Sequence, residues 1–329
     1  MPKIKFPIEY DYFCGKTAPW LLPDYDEYKV DINNDSGFGA RLNLWAAYQA
    51  IAKDHFEALF CCSHFPERIV FDFPNSTFLS RREFYGDMLR MQHVTEDSEN
   101  TLQRIILSPE LFEDGELNDV FYVNDKIPML CPRNNKFLEN EFGEDPLTKV
   151  GILHEEELKE LFSSLNVVHL RRYHGISYLL SDLDELPDHL KDSYMKEARR
   201  ITMSSDPGGL YRYRKDSYYF DALRKYDSPK EKYYISTDLP QKYYYRNWNK
   251  QYKDRLVTND NLYPKVRKIL SKSLTEDQLY LYEPMIEYLT DFFAMVFGKQ
   301  VFAVSSDIRS VSQWAATATR MRKNKLIVI

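Results

Sequence analysis

Three short segments in the second half of the chain end in side chains suited to holding an anion. The first, Val167-Val168-His169-Leu170-Arg171-Arg172, places an imidazole and a guanidinium two residues apart. On a strand those two share a face, while Arg172 lies opposite or past the edge. The second segment ends Ile235-Ser236-Thr237-Asp238, and the third ends Val304-Ser305-Ser306-Asp307 directly before a helical pattern. Arginine supplies a planar, permanently charged fork for phosphate oxygens. A serine-rich helix start adds backbone N–H donors and the positive end of the helix dipole. A carboxylate such as Asp238 or Asp291 can accept two N–H bonds from a guanine edge. Taken singly, each feature has a plainer reading: a helix N-cap, a surface strand end, a core histidine. Taken together they are the parts that hold a nucleoside diphosphate. His174, in Tyr173-His174-Gly175, is an alternative imidazole that also reads as a turn residue.

The elements that must carry these groups follow from hydrophobic period and turn residues. Leu44, Trp45, Tyr48, Ile51 and Ala52 make one helical face after Gly37 and Gly39, which read as a loop, and an apolar strand follows over Ala58 to Cys62. Further strands are expected at Ile69 to Phe73, Val120 to Val123 and Ile127 to Cys131, with a helix over 81–93. From residue 155 the alternation is cleaner. A helix leads into a strand from Asn166 to Leu170; helices near 188–199 and 216–226 precede a strand from Lys232 to Ser236. A Tyr-rich helix at 240–252, a short strand from Arg255 to Thr258, a long helix over 276–297 and a strand from Gln300 to Val304 come next. A helix from Arg309 to Arg320 and a terminal strand or docked tail, Leu326 to Ile329, complete the pattern. Strands alternating with helices predict an α/β fold with parallel sheets covered on both faces. Ligands of such sheets bind beyond the carboxyl ends of the strands, where all three segments above terminate. Gly143, Asp145, Pro146 and Gly151 break the pattern, which predicts two lobes, residues 1–150 and 151–329.

Composition excludes several classes. A chain of 329 residues is about twice the size of one ordinary domain. Hydrophobic residues at 43% and aromatics at 15% exclude global disorder. With 44 basic against 50 acidic residues, a net charge of −6, the chain is no polycation, and no nucleic-acid partner is expected. No window reaches the ~20 apolar residues of a transmembrane helix, and the N-terminal segment has no signal-peptide core, so a soluble cytoplasmic protein is expected. Cys14, Cys61, Cys62 and Cys131 form no CxxC or Cys/His ligand spacing; no metal is expected, and a reducing compartment fits. Nothing in the sequence sets the oligomeric state.

The order of the motifs adds more than any one of them. Gly37-Phe38-Gly39-Ala40-Arg41-Leu42, then VVHLRR at 167–172, KYYISTD at 232–238, a helix carrying Asp291, and VFAVSSDIRSVSQWA at 301–315 together resemble the GDP-fucose-dependent fucosyltransferase superfamily. The resemblance spans the second half nearly end to end, plus the glycine segment and first helix. It implies a GT-B architecture, two Rossmann-like lobes facing across a cleft, and an inverting, metal-independent transfer of fucose from GDP-fucose to a glycan hydroxyl, with no cofactor. It implies that His169 lies at the guanosine, that Arg171 grips the β-phosphate as the catalytic group, with Arg172 beside it, and that Asp291 reads guanine. Ser305 and Ser306 would contact phosphate, Asp238 would line the pocket, and Gly37 and Gly39 would approach the donor from the other lobe. The chain departs from the family pattern at Ala40, often Asn there, at Tyr173-His174-Gly175, and at Asp307, an acid inside the serine-rich turn. These departures bear on the donor, so a different nucleotide sugar is the alternative, and a non-catalytic glycan- or protein-binding scaffold is a third reading. Asp35, Asp72, Glu83 and Asp87 are candidates for a general base, and each reads more readily as a solvated surface acid.

Overall fold

The computed structural model describes residues 3–5, 38–52, 57–61, 65–80, 92–94, 120–123, 145–170, 216–237, 241–304 and 313–329. The chain forms two compact units, Met1–Leu153 and His154–Ile329.

In the first unit the described elements are β1 (Lys3–Lys5), α1 (Phe38–Ala52), β2 (Glu57–Cys61), β3 (Phe71–Asp72), β4 (Ser76–Leu79), β5 (Gln92–Val94), β6 (Val120–Val123) and β7 (Gly151–Ile152). Five of them make a sheet in the order β4-β2-β1-β6-β5, with every pairing parallel. β3 and β7 pair separately and antiparallel. Aromatic rings fill the core: Phe65 lies edge-on to Phe60, Phe73 and Phe78, with centroids 5.3–5.7 Å apart. Trp45 of α1 is fully buried and donates its indole N–H to Ser76 Oγ at 2.9 Å, which satisfies the one polar atom of that side chain.

Three expectations fail here for local reasons. The strand expected at Ile69 to Phe73 begins instead as a 3₁₀ turn over Pro66–Ile69, and only Phe71–Asp72 is extended. Pro66 lacks an amide donor and fixes φ near the helical value, so it starts a turn rather than a ladder. The helix expected over 81–93 ends in β5, whereas 81–91 lie outside the described residues. Gly39, expected in a loop, lies in the first turn of α1 and is buried. The strand expected at 127–131 and the helix expected at 188–199 are outside the described residues.

The second unit contains α2 (Glu155–Phe162), β8 (Leu165–Leu170), α3 (Asp216–Leu223), β9 (Lys232–Thr237), α4 (Gln241–Tyr252), β10 (Leu256–Val257), α5 (Asn259–Leu270), α6 (Glu276–Leu281), α7 (Glu283–Phe297), β11 (Gln300–Ala303), α8 (Gln313–Met321) and β12 (Leu326–Val328). Its sheet runs β10-β9-β8-β11-β12, all parallel. Numbered along the described chain, that order is third-second-first-fourth-fifth, and it reverses between β8 and β11. The crevice in which open α/β sheets bind their ligands lies at such a reversal.

Register decides which side chains meet which helices. Val168, Leu170, Tyr233, Ile235 and Phe302 share one face and pack against Tyr219 and Leu223 of α3 and Tyr244, Trp248 and Tyr252 of α4. Val167, Tyr234 and Val301 point the opposite way, toward the side covered by α7, and the Tyr234 ring lies edge-on to Phe162 of α2 at 6.3 Å. β8 is buried at all six positions, as a central parallel strand must be. The single helix expected over 276–297 is two, because Pro284 belongs in a first helical turn and cannot donate to a preceding one. The chain therefore stops α6 at Leu281 and restarts α7 at Glu283.

Between α7 and β11 the backbone turns at Gly298, hard against β8. A Cβ there would lie 2.5 Å from the Ala294 carbonyl oxygen and 2.6 Å from Val167 Cγ2. Two of the neighbours that crowd it are backbone or core and have nowhere to go. Gly298→Ala is expected to destabilise the protein by about 1–3 kcal/mol through overpacking. Thermal unfolding checks this, and a variant melting with the wild type would show that the corner yields.

Candidate functional site

The carboxyl edge of the second unit's sheet gathers an imidazole, hydroxyls and a carboxylate. His169 is the penultimate residue of β8. Its register partners are Ser236 of β9 and Ala303 of β11, so the imidazole and the Ser236 hydroxyl stand on the same face. His169 is 4% exposed and Ser236 1%. The His169 Nδ1 and Ser236 Oγ are 3.4 Å apart. Small residues flank the ring along the sheet, Ser236 on one side and Ala303 on the other, which leaves room for it on that face.

Asp291 reaches the same strand end from α7. Its Oδ1 accepts from the Tyr234 hydroxyl and, at 3.1 Å, from Asn259 Nδ2; its Oδ2 accepts from the Thr237 backbone N–H at 3.2 Å. The Ser236 side chain, at the same strand end, adds a smaller favourable influence on the ionised carboxylate. Thr237 in turn donates its hydroxyl to the Leu170 carbonyl at 2.9 Å, which ties the ends of β8 and β9 together. Asn259 is the first residue of α5 and also donates to the Glu287 carbonyl of α7 at 3.2 Å. That helix begins where it does because Thr258 caps it, with Asn261 Oδ1 accepting from the Thr258 N–H at 2.9 Å.

The electrostatics follow from this packing. Burial pushes the Asp291 carboxyl up to about 6, and the bonds from Tyr234, Asn259 and the Thr237 N–H, with the smaller influence of Ser236, hold it from rising further. Burial, together with the Asp291 charge, raises the Tyr234 hydroxyl well above its ordinary range, so it stays a donor. An ionised carboxylate offers about four acceptor positions, and three protein donors already converge on this one.

The structure thus brings two of the sequence-derived site residues, His169 and Asp291, to the carboxyl end of β9, at Ser236 and Thr237. Gly39 lies in α1 of the first unit. Gly37, Arg171, Arg172, Asp238, Ser305 and Ser306, with Asp307, lie outside the described residues. Among the candidate bases, Asp72 is exposed on β3, and Asp35, Glu83 and Asp87 are outside the described residues. Tyr234 and Asn259 are participants that the sequence reading missed. The signal for Asn259 was present in Thr258-Asn259-Asp260-Asn261 followed by Leu262, Val266 and Leu270, a cap and a four-residue apolar period. For Tyr234 the signal was parity with Ser236 on an otherwise apolar strand. In the first unit a buried ion pair, Arg41 with Glu67, was also missed; the two residues are 7% and 0% exposed. It lies under Phe38, whose ring is 5.8 Å from the Arg41 guanidinium carbon.

Among the described residues no group of three or more His, Cys, Asp or Glu side chains could hold a metal ion, and no helix is long and apolar enough to cross a membrane. No family model matches the chain, and no curated protein matches it. Similar solved structures include NodZ α-1,6-fucosyltransferase soaked with GDP-fucose, at 12% identity over 87% of this chain and 89% of that one, with a TM-score of 0.40. They also include the fucosyltransferase NodZ from Bradyrhizobium, at 14% identity over 86% and 88%, with a TM-score of 0.39. At such identity and score the likeness assigns no residue.

The raised Asp291 has a measurable sign. The folded state keeps the proton to about 6, whereas the unfolded chain releases it near the ordinary 3.8. Between those values the native state binds more protons, so this group's contribution to stability is complete below about 4 and is lost as pH rises through 6. Comparing melting temperature against pH for wild type and Asp291→Asn is expected to show this downward component in the wild type alone. Parallel profiles across that window would contradict the raised value.

Proposed function

We propose that the chain is an inverting, metal-independent glycosyltransferase of GT-B architecture that moves L-fucose from GDP-fucose to a hydroxyl of a glycan acceptor. The observation that carries this reading is the meeting of His169 and Asp291 at the carboxyl end of β9, beside the reversal of strand order between β8 and β11. In sequence, Arg171 follows directly on Leu170, Asp238 on Thr237, and Ser305 on Val304, so each charged or hydroxyl group succeeds a described strand. The motif order set out above supports the donor class.

In this reading His169 contacts the nucleoside. As the glycosidic bond breaks, negative charge grows on the β-phosphate oxygens. Arg171, with Arg172 beside it, and the amides and hydroxyls of Ser305 and Ser306 stabilise that charge. Asp238 lines the pocket, and Gly37 and Gly39 approach the donor. The acceptor hydroxyl attacks the anomeric carbon from the face opposite the leaving phosphate, which inverts it.

One observation favours a second reading, a nucleotide sugar with a different base. Asp291, the residue the resemblance matches to guanine, already accepts from three protein donors, which leaves it short of the two acceptor positions a guanine edge takes. Calorimetry separates the two: the first reading requires GDP to bind more than about tenfold tighter than UDP and CDP, and equal or reversed affinities favour the second. Transfer from GDP-fucose to water or a glycan tests catalysis itself. Arg171→Ala is expected to lower turnover by roughly 10²–10³, the cost of one transition-state donor. Turnover within about threefold of wild type would remove Arg171 from that role, and tight GDP binding with no transfer or hydrolysis would leave only a binding scaffold.

A further inference from the structure

Asp291 is met from three directions, and one of its three donors closes its more open side. Its Oδ1 accepts from the Tyr234 hydroxyl and from Asn259 Nδ2 at 3.1 Å, and its Oδ2 accepts from the Thr237 N–H at 3.2 Å. Tyr234 is fully buried, so its hydroxyl comes from within the core. The Thr237 amide belongs to the backbone at the end of β9 and is fixed by the sheet. Asn259 and Asp291 are both half-buried, which puts the Asn259 amide on the side of the carboxylate nearer solvent.

The helix that Asn259 begins does not need its side chain. Thr258 and Asn261 make the cap of α5, with Asn261 Oδ1 accepting from the Thr258 N–H at 2.9 Å and from its hydroxyl at 3.1 Å. Asn259 instead directs both hydrogens of its amide at α7, one to Asp291 and one to the Glu287 carbonyl at 3.2 Å. Each oxygen of an ionised carboxylate has about two acceptor positions. Tyr234 and Asn259 together fill those of Oδ1. Among the described residues Oδ2 accepts from Thr237 alone, so about one position is left for a ligand. A guanine edge presents two donors side by side, the ring N–H and the 2-amino group, and needs one position on each oxygen.

We propose that Asn259 is a specificity-determining residue: by filling the open position on Oδ1 it limits Asp291 to one acceptor, so that a base is read here by one N–H and not by two. The ligand class is a nucleoside diphosphate whose base is held at this edge through a single donor. A second donor beside the first meets the Asn259 amide, itself a donor, and stays unpaired, which is how a site built of polar groups discriminates. The inference rests on the reading of the carboxyl edge as a nucleotide site, and it holds for either donor sugar nucleotide considered above.

The test is calorimetry of the full chain with GDP and IDP, which share ribose, diphosphate and purine ring and differ only in the 2-amino group. It is run above neutral pH, where the Asp291 carboxyl is ionised. The wild type is expected to bind the two within about threefold of each other, because the amino group finds no acceptor. Asn259→Ala is expected to bind GDP about tenfold tighter than IDP, the worth of one hydrogen bond to a charged group. A mere tie between α5 and α7 would alter both affinities alike and leave their ratio unchanged. An unchanged ratio in Asn259→Ala therefore overturns the proposal, as does a wild type that already favours GDP by about tenfold. If Asn259→Ala does not fold, the wild-type comparison decides alone. If neither protein binds GDP, IDP or UDP, the nucleotide reading fails and the inference with it, whereas guanine preference in the wild type removes only the role given to Asn259.

Discussion

A carboxylate removed from water has to be met by donors, and in the second unit that requirement organises the carboxyl edge of the sheet. Asp291 draws the Thr237 amide at the end of β9, the Tyr234 ring on the covered face and the start of α5 onto one side chain of α7. Two of these lie on β9 and one begins α5, so one charge on α7 sets the relation of strand, helix start and buried helix. The net worth of a single hydrogen bond is modest, but leaving such a charge without its donors costs several times more. The carboxyl therefore defines the site through the penalty for disturbing it.

The two ends of the same sheet are treated differently. At the amino end, Asn166 on β8 donates to Glu231 and accepts from Gln300, and Lys299 closes on Glu231 at 2.7 Å. Close by in sequence, Arg255 holds Asp227 with both its terminal nitrogens and lies over the Tyr252 ring, 5.3 Å from its centroid. Arginine and lysine there answer acids within the protein. At the carboxyl end the described groups are one imidazole, three hydroxyls and one carboxylate, and the arginines succeed them in the chain. Opposite assignments of charge at opposite ends are what a sheet needs if one end holds it together and the other meets an anion.

Much of this architecture was legible in the sequence. β8, β9 and β11 follow from apolar runs bounded by turn residues, and their parallel pairing follows from the helices between them. What escaped was set by interactions beyond any window. The strand order that makes β8 central, with its reversal beside β11, is a tertiary fact. Pro284 was visible, yet it was read within one long helix because the apolar stripe of α7 continues past it. α5 was overlooked because its apolar period, Leu262, Val266 and Leu270, is thin and its cap is Thr-Asn rather than the commoner Ser-x-x-Glu. In the site, His169 and Asp291 were singled out by type and order. Their meeting at the end of β9 could not be, because it depends on register between strands 67 residues apart.

The corner at Gly298 bears on how this fold could drift. Polar side chains at the carboxyl edge can be exchanged as donor or acceptor changes, and charges at the opposite edge can be swapped in pairs. A backbone turn pressed between the Ala294 carbonyl and Val167 admits no such exchange, since every other amino acid brings a β-carbon. In diverged copies of this unit, agreement would then be expected at a residue that touches no substrate, and that corner would mark common ancestry better than the chemistry does.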